Sequence, residues 1–339
     1  MALPPPPVTN GIEITTIAGP PFVVLVTNWA LFGVLSIQVY IYSQAFPNDR
    51  PILKALVYGV TLIEMAQTFL LTQTGWAMLV QGFGNVEAIN EVGTTFISVP
   101  FIGGLVGLLV QLFYAWRIAI ISHKKIIPVL IFFISLTSFA GAIITTVNGK
   151  QAGKFSEIRA GHKLLAHNIV GVWGGASSFC DVVIAVCMCY YLRKKKGFAS
   201  NTHALVSRLV KMTIETGVLT ASVSIVSLIL CYSAGLRNFS YLIVPQSMQG
   251  KLYSTTMLAV LNSRMVTNMA TEYTAWRDHE LVFATLPPRC DADTLKLHLS
   301  TMAPLPNRNG GFVEVDATII DIRNGIYSVS SRERVVEAV

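Results

Sequence analysis

The chain has 339 residues, of which 53% are hydrophobic and only 13% charged, and its mean hydropathy is +0.57. A soluble core cannot hide that much apolar surface, which excludes an ordinary pair of soluble domains and points to lipid. The net charge of +7 requires no nucleic acid, because membrane proteins gather Lys and Arg on their cytoplasmic side.

Residues 1–21 have no basic start and are read as a short extracellular tail rather than a cleaved leader. A helix that crosses a bilayer needs about 20 mostly apolar residues. Seven stretches qualify, near Phe22–Tyr42, Ala55–Leu79, Phe96–Ile121, Ile126–Val147, Asn168–Leu192, Met212–Ser233 and Tyr241–Ser263. The seventh is the weakest, interrupted by Pro245, Gln246, Gln249 and Lys251, so six is the rival count. The expectation is an all-α integral membrane protein, a seven-transmembrane bundle over residues 22–266.

Loop charge sets the orientation. The first loop carries Arg50 and Lys54. The third is "SHKK", with Arg117 just before it, and the fifth opens with "RKKK" at Arg193, Lys194, Lys195 and Lys196. Basic odd-numbered loops put the N-terminus outside and the C-terminal tail in the cytoplasm. The fourth loop, with Lys150, Lys154, Arg159 and Lys163, argues the other way. Asn238 opens an "NFS" glycosylation triplet on the outer side. Residues 267–339 turn polar and rich in breakers, and read as a mostly disordered cytoplasmic tail.

Polar residues inside the spans are the site candidates, because a charge in hydrocarbon costs at least about 3 kcal/mol. Glu64 lies near the middle of the second span, with Thr68 on its face, and Asp181 near the middle of the fifth. Lys251 can partner either acid if the seventh helix starts near Tyr241. It snorkels to the surface if the helix starts near Lys251. A retinal-type role for that lysine is disfavoured, since the third span has no acid. Glu215 follows Lys211 by four residues, which makes an ion pair at the cytoplasmic rim or a coupling contact there. Arg117 and Arg264 end the third and seventh spans on the same side. Thr213, Gly217, Thr220, Ser224 and Ser227 form a small, hydroxyl-bearing stripe that is expected to face the bundle.

The histidines lack metal-ligand spacing, and no Walker loop or nucleophile elbow is present, so no cofactor, metal or enzymatic activity is expected. Five cysteines form no disulfide framework; Cys187 and Cys189 are candidates for palmitoylation. The run Arg193–Lys196 suits anionic lipid.

The stretches "SRLVKMTIETGVLTA" (Ser207 to Ala221), "GKLYSTTMLAVLNSR" (Gly250 to Arg264) and "QLFYAWRI" (Gln111 to Ile118) resemble an uncharacterised seven-helix membrane family of basidiomycete fungi, named only as a domain of unknown function. The resemblance spans about residues 15 to 266 and is strongest over 177–266. It implies the acid at Asp181, the Thr213–Gly217 run with Glu215, and the Leu261–Arg264 ending as signature positions. The chain departs from the pattern at Thr255, where that family commonly has Asn.

Three functions fit this reading. The first is a receptor-like protein of the plasma membrane that senses a small or lipidic ligand and signals to a cytoplasmic partner. The second is a proton- or solute-coupled transporter using Glu64 and Asp181. The third is a membrane-organising protein without a ligand. The animal-receptor signatures are missing: no acid precedes Arg117, the sixth span has no proline, and the seventh no Asn-Pro pair. No internal repeat favours a carrier.

Overall fold

The computed structural model describes residues 8–9, 12–83, 85–154, 163–195, 217–227, 229–230 and 240–285, with two-residue strands at 305–306, 312–313 and 335–336. Lys211, Glu215, Asn238 and Lys196 lie outside the described residues. The helices that build the bundle are α1 (Ile14–Ala45), α2 (Pro51–Trp76), α3 (Thr95–Ser122), α4 (Ile126–Ala152), α5 (Lys163–Lys195), α6 (Gly217–Ser227) and α7 (Ser240–Thr285). Two compact units divide the chain at Ser263 and Arg264. The first holds nearly all of the bundle and the antiparallel pair Val8–Thr9 with Ile12–Glu13. In the second, Phe312–Val313 pairs on one side with Leu305–Pro306 and on the other with Val335–Val336.

Helix starts and stops follow local chemistry. Pro51 begins α2, where its missing N–H costs nothing. Beyond Trp76 the helix widens into a π-helical turn, Ala77–Gln81. A second π-helical turn, Ser98–Ile102, contains Pro100 and leads into the regular part of α3. His123 closes α3 with a left-handed backbone (φ 54°), its N–H bonded to the Ala119 carbonyl, and so turns the chain tightly into α4. The seventh helix runs past its expected end near Ser263 to Thr285. The reason is local: from Lys251 onward there is no proline or glycine until Pro287.

Among the described residues, five helices are long and apolar enough to cross a membrane: Ala18–Ala45, Pro51–Gln81, Thr95–Ser122, Ile126–Ala152 and Gly171–Tyr191. This is an all-α membrane protein. Rows of large apolar side chains, among them Phe22, Ile37, Leu62, Phe69, Phe133, Phe179 and Val186, point out of the bundle, as lipid contact demands. Only 17% of the apolar window of α1 is buried against 61% of that of α3, so α3 is an inner helix and α1 an outer one.

The 46-residue α7 is not among those five, and packing explains why. From Leu242 to Ser263 its side chains are buried or half-buried, so this part of the helix has protein on every side and needs no apolar surface for lipid. Glycines let it sit close. A Cβ at Gly250 would lie 3.3 Å from the Gly103 Cα, and one at Gly107 would lie 3.4 Å from the Tyr253 ring. The Gly103-xxx-Gly107 pattern is thus the seat of α7. Gly175, by contrast, has nothing within 4 Å of an added Cβ, so the Gly171-xxx-Gly175 pattern is not matched by a close neighbour there. On α6 the polar stripe Thr220, Ser224 and Ser227 is turned inward, while Val218, Leu219, Ile225 and Val226 are exposed.

The second and fourth loops meet. The Val92 N–H bonds to the Gly153 carbonyl (2.9 Å), and Lys154 lies 3.8 Å from Glu87. Part of the basic charge that weighed against the expected orientation therefore faces acid from the neighbouring loop. The contact is exposed and contributes at most about 1 kcal/mol.

Candidate functional site

Two intramembrane acids meet α7 on opposite faces. Glu64 lies about halfway along α2 and its side chain is fully buried. Its Oε2 accepts from Lys251 Nζ at 2.7 Å, and its Oε1 accepts from Ser254 Oγ at 2.9 Å. Lys251 donates further to the Glu64 carbonyl (3.2 Å) and to Gln67 Oε1 (3.4 Å), which uses its three N–H groups. The ammonium also stands 5.5 Å from the centre of the Phe32 ring, bringing α1 into the site. Gln67 in turn donates to the Ser98 carbonyl at 2.8 Å, in the π-helical turn of α3. One helical turn beyond Glu64, Thr68 donates to Asn28 Oδ1 of α1 at 3.0 Å. The pair is thus locked between α1, α2, α3 and α7.

Asp181 occupies the opposite face of α7. Tyr253 donates its hydroxyl to Oδ2 at 2.6 Å, and Gln111 of α3 donates to Oδ1 at 3.0 Å. Thr220 of α6 supplies a third hydrogen bond. Around them, Ser177 lies 2.8 Å from the Tyr253 hydroxyl, and Gln249 donates to Ser224 at 3.0 Å. Gln249, Tyr253 and Thr256 recur at helical spacing, whereas Gly250, Lys251 and Ser254 fall on the other side of the helix. One helix therefore serves two polar clusters with separate faces.

These clusters differ in charge. Glu64 has its own cation. Asp181 is 5% exposed, and among the described residues its partners are all neutral. Two small cavities adjoin this second cluster. The larger, about 20 Å³, is lined by Gln111, Tyr114, Asp181, Thr220, Tyr253 and Thr256 with apolar neighbours. The other, about 10 Å³, is lined by polar groups including Ser135, Ser138, Ser177 and Gln249. Each has room for a single water molecule.

The structure brings Glu64, Thr68 and Lys251 together and keeps Asp181 apart. Arg117 on α3 and Arg264 on α7 are half-buried, and Arg193 and Lys194 are exposed at the end of α5. Lys195 lies in the helix with its side chain outside the described set. Sequence reasoning missed Gln67, Gln111, Tyr253 and Ser254 as site members. Their signal was present: four polar side chains at inner positions of apolar helices. What was missing was the pairing between helices. Among the described residues no cluster of His, Cys, Asp and Glu is arranged to hold a metal.

Residues 177–266 match the model of a family of unknown function, DUF6534. No curated protein and no solved structure matches the chain. The matched stretch carries Asp181, Gln249, Lys251, Tyr253 and Ser254, while Glu64, Gln67 and Gln111 lie outside it.

Proposed function

We propose that this is a receptor-like seven-helix membrane protein, with its N-terminus outside and its C-terminal tail in the cytoplasm, that answers a small or lipidic ligand by moving α7. The observation that carries the proposal is the buried Glu64–Lys251 pair. Taking two charges out of water is expensive, and a well-packed apolar pair of the same volume often serves stability as well or better. Such a pair is more useful as a lock between two arrangements than as glue. Here it joins α7 to α2, while Tyr253 joins the opposite face of α7 to Asp181 on α5. A shift of α7 exchanges both sets of contacts together, which is the discrete two-state element that a switch needs.

The count of seven is supported by α6 and α7. The described part of α6 is apolar with one polar inner stripe, and α7 is long enough to span but enclosed by protein. The resemblance over residues 15 to 266 to a seven-helix basidiomycete family supports the same count. Location in the plasma membrane, anionic lipid at Arg193 to Lys196, and a cytoplasmic signalling partner at the basic inner loops belong to this reading.

A second reading, a proton- or solute-coupled carrier, draws on Asp181, whose side chain lines a water-sized cavity. A ligand-screen melting assay on purified protein separates the two when combined with vesicle flux. A receptor gives a stabilising compound that promotes recruitment of a trimeric G protein and is not transported. Uptake of that compound into vesicles with no recruitment would overturn the receptor reading in favour of the carrier.

A further inference from the structure

An open groove of about 810 Å³ runs between α5 and α6. On α5 its lining passes from Val182 through Ala185, Val186 and Tyr190 to Arg193 and Lys194, which recur at helical spacing along one face. On α6 it is lined by Gly217, Val218 and Ala221. Small residues set its floor. A Cβ at Gly217 would stand 3.0 Å from the Ala185 Cβ, so the two helices touch there. Ala221, one turn further along α6, adds little bulk. The walls are Val182, Val186, Tyr190 and Val218, each half exposed or more, so the groove opens toward lipid and not into the bundle.

The groove is apolar at one end and cationic at the other. From Val182 to Arg193 a helix rises about 16 Å. Half of the hydrocarbon core of a bilayer is about 15 Å. The groove is therefore about as long as one leaflet is deep. The apolar window of α5 ends at Tyr191, which puts Arg193 and Lys194 just beyond it, at headgroup level. Both side chains are exposed, and no Asp or Glu among the described residues forms an ion pair with either. Arg offers a planar fork that matches phosphate oxygens, and Lys adds a compact point charge. The volume lies inside the range of about 300–1,000 Å³ that ligand sites occupy. A free phosphate has no use for the apolar trough, and a zwitterionic lipid has none for two cations. What fits both parts is an amphiphile with an anionic head.

We propose that this groove seats one acyl chain of an anionic phospholipid, with the lipid phosphate on Arg193 and Lys194, resting on the assignment of anionic lipid to the Arg193–Lys196 run. Ala185 and Gly217 also border the small cavity beside Asp181 and Tyr253. Thr220 of α6 hydrogen-bonds Asp181. A chain in the groove thus fixes α6 against α5 and, through Thr220, bears on the contact that holds α7.

The test is native mass spectrometry of the full-length protein, released from micelles that hold phosphatidylserine and phosphatidylcholine in equal amounts with the same acyl chains. One phosphatidylserine is expected to stay bound at collision energies that strip phosphatidylcholine. Arg193→Ser with Lys194→Ser removes two charges and weakens that retention by about 30-fold. Lys124→Ser with Lys125→Ser removes the same charge from the loop before α4 and leaves retention unchanged. Ala221→Leu fills the groove, keeps both cations and also loses the lipid. Excess glycerophosphoserine, the headgroup without its chains, does not displace it. Equal retention of the two lipids by the parent overturns the proposal without recourse to any variant, and takes the anionic-lipid assignment with it. If the double serine variant loses the lipid while Ala221→Leu keeps it, or if glycerophosphoserine displaces it, that assignment stands and the groove falls. A lipid-free dimer that Ala221→Leu dissociates would give the groove to a second copy of the chain and likewise overturn the proposal.

Discussion

Lys251 Nζ lies 2.7 Å from Glu64 Oε2, with both side chains wholly shielded from solvent, although 187 residues separate them. A buried pair of this kind is easily broken and hard to replace by halves. Glu64→Gln leaves an ammonium without its counter-charge, and Lys251→Met leaves a carboxylate. Each is expected to cost about 3–5 kcal/mol. The double variant Glu64→Gln with Lys251→Met is expected to recover most of that loss. A double-mutant cycle read by unfolding of the purified protein measures the coupling; strictly additive costs would contradict a direct pair.

Gly250 is expected to resist substitution. A Cβ there meets Glu64 Oε1 at 3.2 Å and the Gly103 backbone at 3.3 Å, and a helix backbone does not yield cheaply. Gly250→Ala should destabilise by about 1–3 kcal/mol. Gly175→Ala makes the matched control, because open space surrounds that position. It should be neutral or stabilising by up to about 1 kcal/mol, from helix propensity alone. Melting temperatures of the two variants should therefore move in opposite directions, or at least clearly apart.

The contact of α3 with α4 offers a compensating pair. A Cβ at Gly104 falls 2.6 Å from the Ala142 Cβ, a distance that forces the helices apart. Gly104→Ala is expected to lower stability, and Ala142→Gly added to it should restore most of the loss by moving the methyl from one helix to the other. Failure of the swap to rescue would mean that Phe139, 3.5 Å from the same point, sets the limit instead.

Tyr253→Phe removes a hydroxyl that donates to Asp181 at 2.6 Å. Leaving one partner of a buried hydrogen bond unsatisfied costs about 1–3 kcal/mol, and a loss of that order is expected. Tyr190, 58% exposed on α5, gives the comparison. Tyr190→Phe should leave the unfolding curve unchanged.

Orientation is open to direct labelling. Glu87 lies between α2 and α3, and Lys124 between α3 and α4. Cysteines placed there in turn are expected to differ in intact cells: an impermeant thiol reagent should reach position 87 and not position 124. Reaction at 124 alone would invert the proposed topology.

Much of this was legible along the chain because hydropathy is a local property. The cores of α1 to α5 follow from apolar windows of about 20 residues, and the start of α4 at Ile126 matches the expected one, whereas α2 begins at Pro51, four residues before the expected Ala55. The inward stripe of Thr220, Ser224 and Ser227 follows from helical spacing. Depth was legible too: Glu64 and Asp181 fall mid-span by counting residues.

What the linear order left undecided was angular. Residue count fixes how far along a helix a side chain lies, but not which neighbour it faces, since that depends on how the helices are arranged around one another. Lys251 had two acids at similar depth to choose from, and only the placement of α7 on the Gly103 and Gly107 face of α3 turned it to Glu64 and gave Tyr253 to Asp181. The same placement explains why α7 reads as a poor membrane helix: shielded by its neighbours, it exchanges lipid contact for hydrogen bonds that exist only once the bundle has closed.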